Sequence, residues 1–243
     1  MAWHGSLTLD YRRDDLERGA RTIVRDRHAG PLRVLASLYP EAATVCHSVL
    51  VHPPGGLVGG DELKIDVLLG PAAHALITTP GATRFYRSTG ASAAQRVHAT
   101  LAAEARLEWL PLETIAYSGC LAENLMRFEL APGAEMIGWD VLALGLPASD
   151  QAYARGRCTQ RIELPGRWLE RAVVDAADRR LLDSPFGWAG HRVLATLWFA
   201  AGGALDRARR EALLDAARAA VDGEGHGAND DARRDTGRYT RGD

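Results

Sequence analysis

The chain has 243 residues, 47% hydrophobic and 25% charged, with a formal net charge of −2, so it can bury one sizeable core but offers no basic field to hold nucleic acid or an anionic membrane. Three widely spaced cysteines, Cys46, Cys120 and Cys158, suit a reducing compartment better than a disulfide framework. The N-terminus lacks a basic, then apolar leader, and the longest apolar run, about Val193 to Ala204, falls short of the roughly 18 to 20 residues that cross a bilayer, so a cytoplasmic location is expected.

Period-two alternation dominates from Leu7 to Val174 and predicts half-buried strands. Leu63, Ile65, Val67 and Leu69 face one way, as do Ala105, Leu107 and Trp109, and Met126, Phe128 and Leu130. Turns punctuate the strands at Gly70-Pro71, Ala131-Pro132-Gly133 and Leu164-Pro165-Gly166-Arg167. Aligning them exposes a faint repeat that begins at Leu69, Leu101 and Leu130, with intervals of 32 and 29 residues and an alanine at Ala73, Ala105 and Ala134. A near-constant rung predicts a mainly β, stacked-strand, β-solenoid-like single domain over residues 1–221. Asp206 caps a C-terminal helical segment, Arg207 to Val221, with a thin alanine-rich apolar face. Beyond it, Asp222 to Asp243 is nearly free of apolar residues and has the composition of a disordered tail.

The most irregular stretches are His52-Pro-Pro-Gly-Gly-Leu-Val-Gly-Gly-Asp61 and Thr78-Thr-Pro-Gly-Ala-Thr-Arg-Phe-Tyr-Arg-Ser88. Two prolines and two Gly-Gly pairs require a shaped loop between strands. The loop is no phosphate cradle, because Gly59-Gly60 is followed by Asp61 rather than by Lys-Ser/Thr opening a helix, and the dinucleotide fingerprint is absent. No catalytic constellation is present: there is no G-x-S-x-G elbow, S-x-x-K or H-E-x-x-H, and Ser88 and Ser118 read as turn residues. The block from Thr83 to Ser88 could stack nucleic-acid bases, but it lacks a basic surround.

Histidines offer no clamp: His47 and His52, five apart, would point to opposite faces of a continuous strand. Carboxylates suit a cation in passage better, since passage wants several weak oxygen ligands and no closed cage. The candidates are Asp61 and Glu62 at the end of the glycine loop, Asp140 and Glu170. Asp140 interrupts the apolar run Met136 to Leu142, so it must find a partner or line a water-filled space; a salt bridge to Arg84, Arg87 or Arg155 is the ordinary alternative.

The two irregular blocks, with Leu107-Glu-Trp-Leu-Pro-Leu-Glu-Thr-Ile115, resemble three signature blocks of the urease accessory protein D family, in the same order and at similar spacing. Gly30-Pro-Leu-Arg-Val34, Leu38-Tyr-Pro-Glu41, Val45-Cys-His47 and Gly138-Trp-Asp140 add lesser matches, and the resemblance runs from about Leu7 to about Ala220. It implies a β-rich helix of strands and a non-enzymatic nickel-insertion factor that docks on apo-urease, recruits accessory proteins F and G, and holds no permanent cofactor. Nickel would be in transit through an internal channel, for which Asp61, Glu62, Asp140 and Glu170 are the candidate lining, and GTP hydrolysis would belong to the G protein. Two departures stand out. Leu112 takes the place of a usual Gln, and the polar segment after Val221 replaces an apolar strand and helix, whether by truncation, frame shift or divergence. The rival reading is a β-rich metal-dependent hydrolase with loop 52–61 at the rim of its active site.

Overall fold

The computed structural model describes residues 2–16 and 19–224. The strands are β1 (His4–Leu16), β2 (Gly19–Ala29), β3 (Arg33–Leu38), β4 (Val45–Val51), β5 (Glu62–Leu69), β6 (His74–Thr78), β7 (Thr83–Phe85), β8 (Ala93–Leu101), β9 (Arg106–Trp109), β10 (Thr114–Ala116), β11 (Cys120–Leu130), β12 (Glu135–Leu144), β13 (Gly156–Leu164), β14 (Trp168–Asp175) and β15 (Val193–Ala201); the helices are α1 (Arg179–Asp183) and α2 (Arg207–Glu224). A first sheet has the order β14-β13-β11-β8-β5-β1-β2; the second runs β3-β4-β6-β9-β12, with β10 and β7 continuing the β9 and β6 rows and β15 on the far edge of β12.

The chain winds between the sheets as the repeat predicts. β5, β8, β11 and β13 stack in parallel in the first sheet, and β4, β6, β9 and β12 do so in the second. Each of these three crossings from the first sheet to the second, β5 to β6, β8 to β9 and β11 to β12, uses the same turn. Ala72, Glu104 and Gly133 take the left-handed conformation, at φ 55°, 59° and 81°. The next residue, Ala73, Ala105 or Ala134, donates its N–H to the carbonyl three residues back. All three alanines are fully buried, because this position enters the gap between the sheets where a larger side chain would force them apart. After β13 the chain folds back as β14 instead of crossing, and β15 pairs antiparallel with β12 to close the second sheet.

Prolines interrupt the second sheet. Pro80 separates β6 from β7 and Pro111 separates β9 from β10, since neither can donate to a ladder, whereas β12 runs unbroken. The two breaks are stitched together: Thr78 Oγ1 donates to Leu110 O at 2.7 Å, Leu112 N donates to Thr79 Oγ1 at 3.0 Å, and Trp139 Nε1 donates to Pro111 O at 2.6 Å. Leu112 is 44% exposed, so a leucine at this position leaves no buried polar site to repack.

Inward residues of both sheets form one core, as the alternation at Leu63 to Leu69 requires. Its aromatic centre runs Trp109–Phe128–Trp198–Trp168, with ring centroids 5.8–6.2 Å apart. Buried Tyr11 of β1 donates to Ser48 Oγ of β4 at 2.7 Å and ties one sheet to the other.

The chain divides into two compact units, one ending at Gly203 and the other starting at Ala204. In the second, Asp206 Oδ1 accepts the Arg209 N–H at 2.9 Å, the cap expected of it, and α2 continues to Glu224, past the expected end at Val221. Residues 225–243, most of the predicted tail, lie outside the described residues. The short α1 was not expected; Asp178 caps it by accepting from Leu181 N at 3.0 Å.

Candidate functional site

The two irregular blocks interlock. Leu57 is buried and pairs with the 84–86 segment: its N–H donates to Arg84 O at 2.8 Å and its carbonyl accepts from Tyr86 N at 2.8 Å. On either side of it the glycines make room. A Cβ on Gly56 would meet the Tyr86 ring, with Cδ2 at 2.8 Å, and one on Gly59 would sit 2.7 Å from Ala91 O beside Ser88. Asp61 closes the loop: it is 5% exposed, and its two carboxylate oxygens accept the N–H groups of Trp3, at 2.7 Å, and Val58, at 2.9 Å. Its first task is therefore to satisfy backbone donors.

Glu62 begins β5 and faces outward, where it accepts from Arg96 Nε at 2.8 Å; Arg96 also reaches Glu123 at 3.0 Å. Most histidines are likewise paired: His47 with Glu41 at 2.9 Å, His74 with Glu108 at 2.8 Å and His98 with Glu129 at 3.3 Å. His52 differs. It lines a cavity of about 180 Å³ under the Thr79–Ala82 break, together with Thr79, Thr83 and Gln95. Burial pushes its pKa down, against the pull of the Asp61 carboxylate, which favours a neutral imidazole.

Asp140 points into the core from β12 and is 4% exposed. Among the described residues no arginine reaches it. Its partners are two amides: Asn124 Nδ2 donates to Oδ1 at 3.2 Å and Gln160 Nε2 donates to Oδ2. Burial raises the carboxyl to about 6, a rise the two hydrogen bonds oppose but do not cancel. These amides belong to a row. Gln95, Asn124 and Gln160 lie in register on β8, β11 and β13, all on the inner face, and Gln95 Nε2 donates to Asn124 Oδ1 at 3.3 Å. Gln95 reaches the His52 cavity at one end of the row. At the other end Asp140 and Gln160 line a narrow pocket of about 10 Å³ with Glu170, Trp188 and Thr196.

The structure thus brings Asp140 and Glu170 to one pocket, puts Glu62 on the outer face, and uses Asp61 as the cap of the glycine loop. The amide row was missed by the sequence reading. Its signal was available only by carrying the rung alignment from the turns into the strands, where each of three successive inner faces has one polar residue at the same level. Among the described residues no group of three or more His, Cys, Asp or Glu side chains is arranged to hold a metal ion.

An active-site rim finds no support. Ser88 Oγ donates to Ala91 O, and Ser118 Oγ accepts from Ala154 N and Arg155 N at 3.2 Å, so neither serine meets a histidine. Burial lifts Cys120 to about 11 and Cys158 further, which keeps both as inert thiols. Among the described residues no helix is long and apolar enough to cross a membrane.

Residues 4–237 match the family model of the UreD urease accessory protein. The chain is 62% identical over 221 residues to urease accessory protein UreD of Leptothrix cholodnii, covering 91% of this chain and 79% of the relative. It is 63% identical over 222 residues to that of Paracidovorax citrulli, with the same coverage, and 60% identical over 225 residues to that of Variovorax paradoxus, covering 93% and 80%.

Proposed function

Because this chain belongs to the UreD family of urease accessory proteins, we propose that it works as a non-enzymatic chaperone in assembling the nickel centre of urease, and that Ni²⁺ passes along its interior amide row. The observation that carries the route is the hydrogen-bonded thread Gln95–Asn124–Asp140–Gln160 between the His52 cavity and the Glu170 pocket. A pocket of about 10 Å³ holds roughly one water, so a hydrated cation would exchange waters for side-chain oxygens there. The row supplies weak oxygen ligands one after another and a single buried carboxylate to offset the charge, which suits release as much as capture. The buried indole N–H groups of Trp109 and Trp198 have no acceptor among the described residues, and waters accompanying the ion would supply one.

The partners in this reading are apo-urease and accessory proteins F and G. Neither nucleic acid nor membrane enters it. The energy of delivery comes from the G protein, since this chain has no Gly-Lys-Ser/Thr loop to hold a nucleotide phosphate. The test is Asp140→Leu, with Asn124→Leu and Gln160→Leu beside it, in a strain whose urease is purified and its nickel counted. Nickel falls while the complex still co-purifies. Urease with normal nickel from all three strains would end the channel reading.

A further inference from the structure

Most outward charges of the first sheet neutralise one another: Arg96 bridges Glu62 and Glu123, Arg127 bridges Glu129 and Glu163, Arg161 also joins Glu163, and Arg157 pairs with Asp175. At the edge where the chain leaves the second sheet to re-enter the first, three arginines do not follow this pattern. Arg84, Arg87 and Arg155 are exposed, and none of their guanidinium groups has a hydrogen bond or ion pair among the described residues.

These arginines are held in place by successive rungs. Ser88 N donates to Gly119 O at 3.0 Å and Gly119 N donates to Arg155 O at 2.6 Å, so the segments bearing Arg87 and Arg155 flank Gly119. The stem of Arg87 lies over that glycine, its Cγ 3.0 Å from where a Cβ would stand. Arg84 faces the glycine loop, with Nη1 4.0 Å from the Cβ position of Gly55. Between Arg84 and Arg87, Tyr86 meets Tyr117 edge to face, ring centroids 4.8 Å apart, and both rings are only partly buried.

We propose that this ridge, Arg84, Tyr86, Arg87, Tyr117 and Arg155, is a docking surface for a carboxylate-rich segment of a partner protein. Charge complementarity selects the occupant, because unpaired guanidinium forks bind carboxylates two bonds at a time. Tyrosine and arginine supply interface energy out of proportion to their number, and the Arg87 stem, seated on Gly119, loses less freedom on binding. Arg84 also lines the His52 cavity, so a segment bound here sits at the mouth of the amide row. The source of the segment, within the complex with apo-urease and accessory proteins, rests on the function proposed above.

Phenylglyoxal modification, read arginine by arginine by mass spectrometry, compares the free chain with the purified complex. Arg84, Arg87 and Arg155 are expected to become protected on assembly. Arg87→Glu/Arg155→Glu is expected to weaken assembly by roughly tenfold or more and to flatten its salt dependence. Because both side chains are exposed, the variant should melt with the wild type, and matching melts separate lost docking from lost folding. Unchanged reactivity of the three arginines in a complex that forms normally, with undiminished assembly of the variant, would overturn this inference and leave the proposed function standing. Failure of the wild-type chain to join apo-urease or either accessory protein would overturn both.

Discussion

The ring of Tyr86 occupies the space beside Gly56 that any other residue's Cβ would need, with Cδ2 at 2.8 Å and Cζ at 2.9 Å from that position. This relationship joins the two irregular blocks through residues thirty positions apart in the chain and gives a packing reason for a Gly-Gly pair beside Leu57. Gly56→Ala should therefore cost about 1–3 kcal/mol as an overpacked site. Urea denaturation of Gly56→Ala, Tyr86→Ala and the double variant checks it: the costs should be less than additive, because removing the ring relieves the clash. Additive losses would mean that the two residues do not share this space.

Asp140 makes stability depend on pH in an unusual direction. Its carboxyl titrates near 6 in the fold, above the ordinary carboxylate value, so the folded state holds the proton more tightly than the unfolded chain does. The stabilisation this gives is fully present below the unfolded pKa and is lost as pH rises toward and through about 6. Asp140→Asn carries no charge to bury, and Gln160 can turn its amide to offer an oxygen. The stability of the variant relative to wild type should rise between about pH 4 and pH 7 by about 1–3 kcal/mol. Chemical denaturation at a series of pH values measures this, and a flat difference would refute it.

Asp61 and Glu62 are adjacent in sequence and should behave differently. Asp61→Asn leaves one of two backbone N–H groups facing an amide N–H in place of a carboxylate oxygen, and should cost about 1–3 kcal/mol. Glu62→Gln loosens an exposed pair with Arg96 and should cost less than about 1 kcal/mol. It should also leave the nickel content of urease unchanged. Denaturation midpoints and metal analysis test the two together; a nickel defect in Glu62→Gln would assign the outer face a part in delivery.

The rung turns predict a second packing effect. Ala105→Val puts two more carbons into a fully buried position between the sheets and should cost about 1–3 kcal/mol. Ala103→Val, one residue before the left-handed Glu104 and outside the buried set, should cost less. Thermal melts of the pair decide whether the repeating alanine is a packing requirement or only a frequent turn residue.

Much of this molecule was legible in the order of its residues. Alternation at Leu63 to Leu69 and Met126 to Leu130 told inner face from outer, because side chains on a strand alternate and one face of each sheet is buried. The interval between Leu69, Leu101 and Leu130 announced the rung, because each of these passages from the first sheet to the second uses the same left-handed turn followed by a small residue. The interior site was less legible. Asp61, Glu62 and Asp140 all read as carboxylates beside apolar sequence, yet one caps a loop, one faces solvent and one lies buried against two amides. What separated them was the stacking register, which set Gln95, Asn124 and Gln160 in one row on the first sheet and turned Asp140 toward it from the second. No local pattern contains that information, since it depends on which rung lies over which, and the bonds from Asn124 and Gln160 to Asp140, 16 and 20 positions away, require the two sheets to face each other across the core.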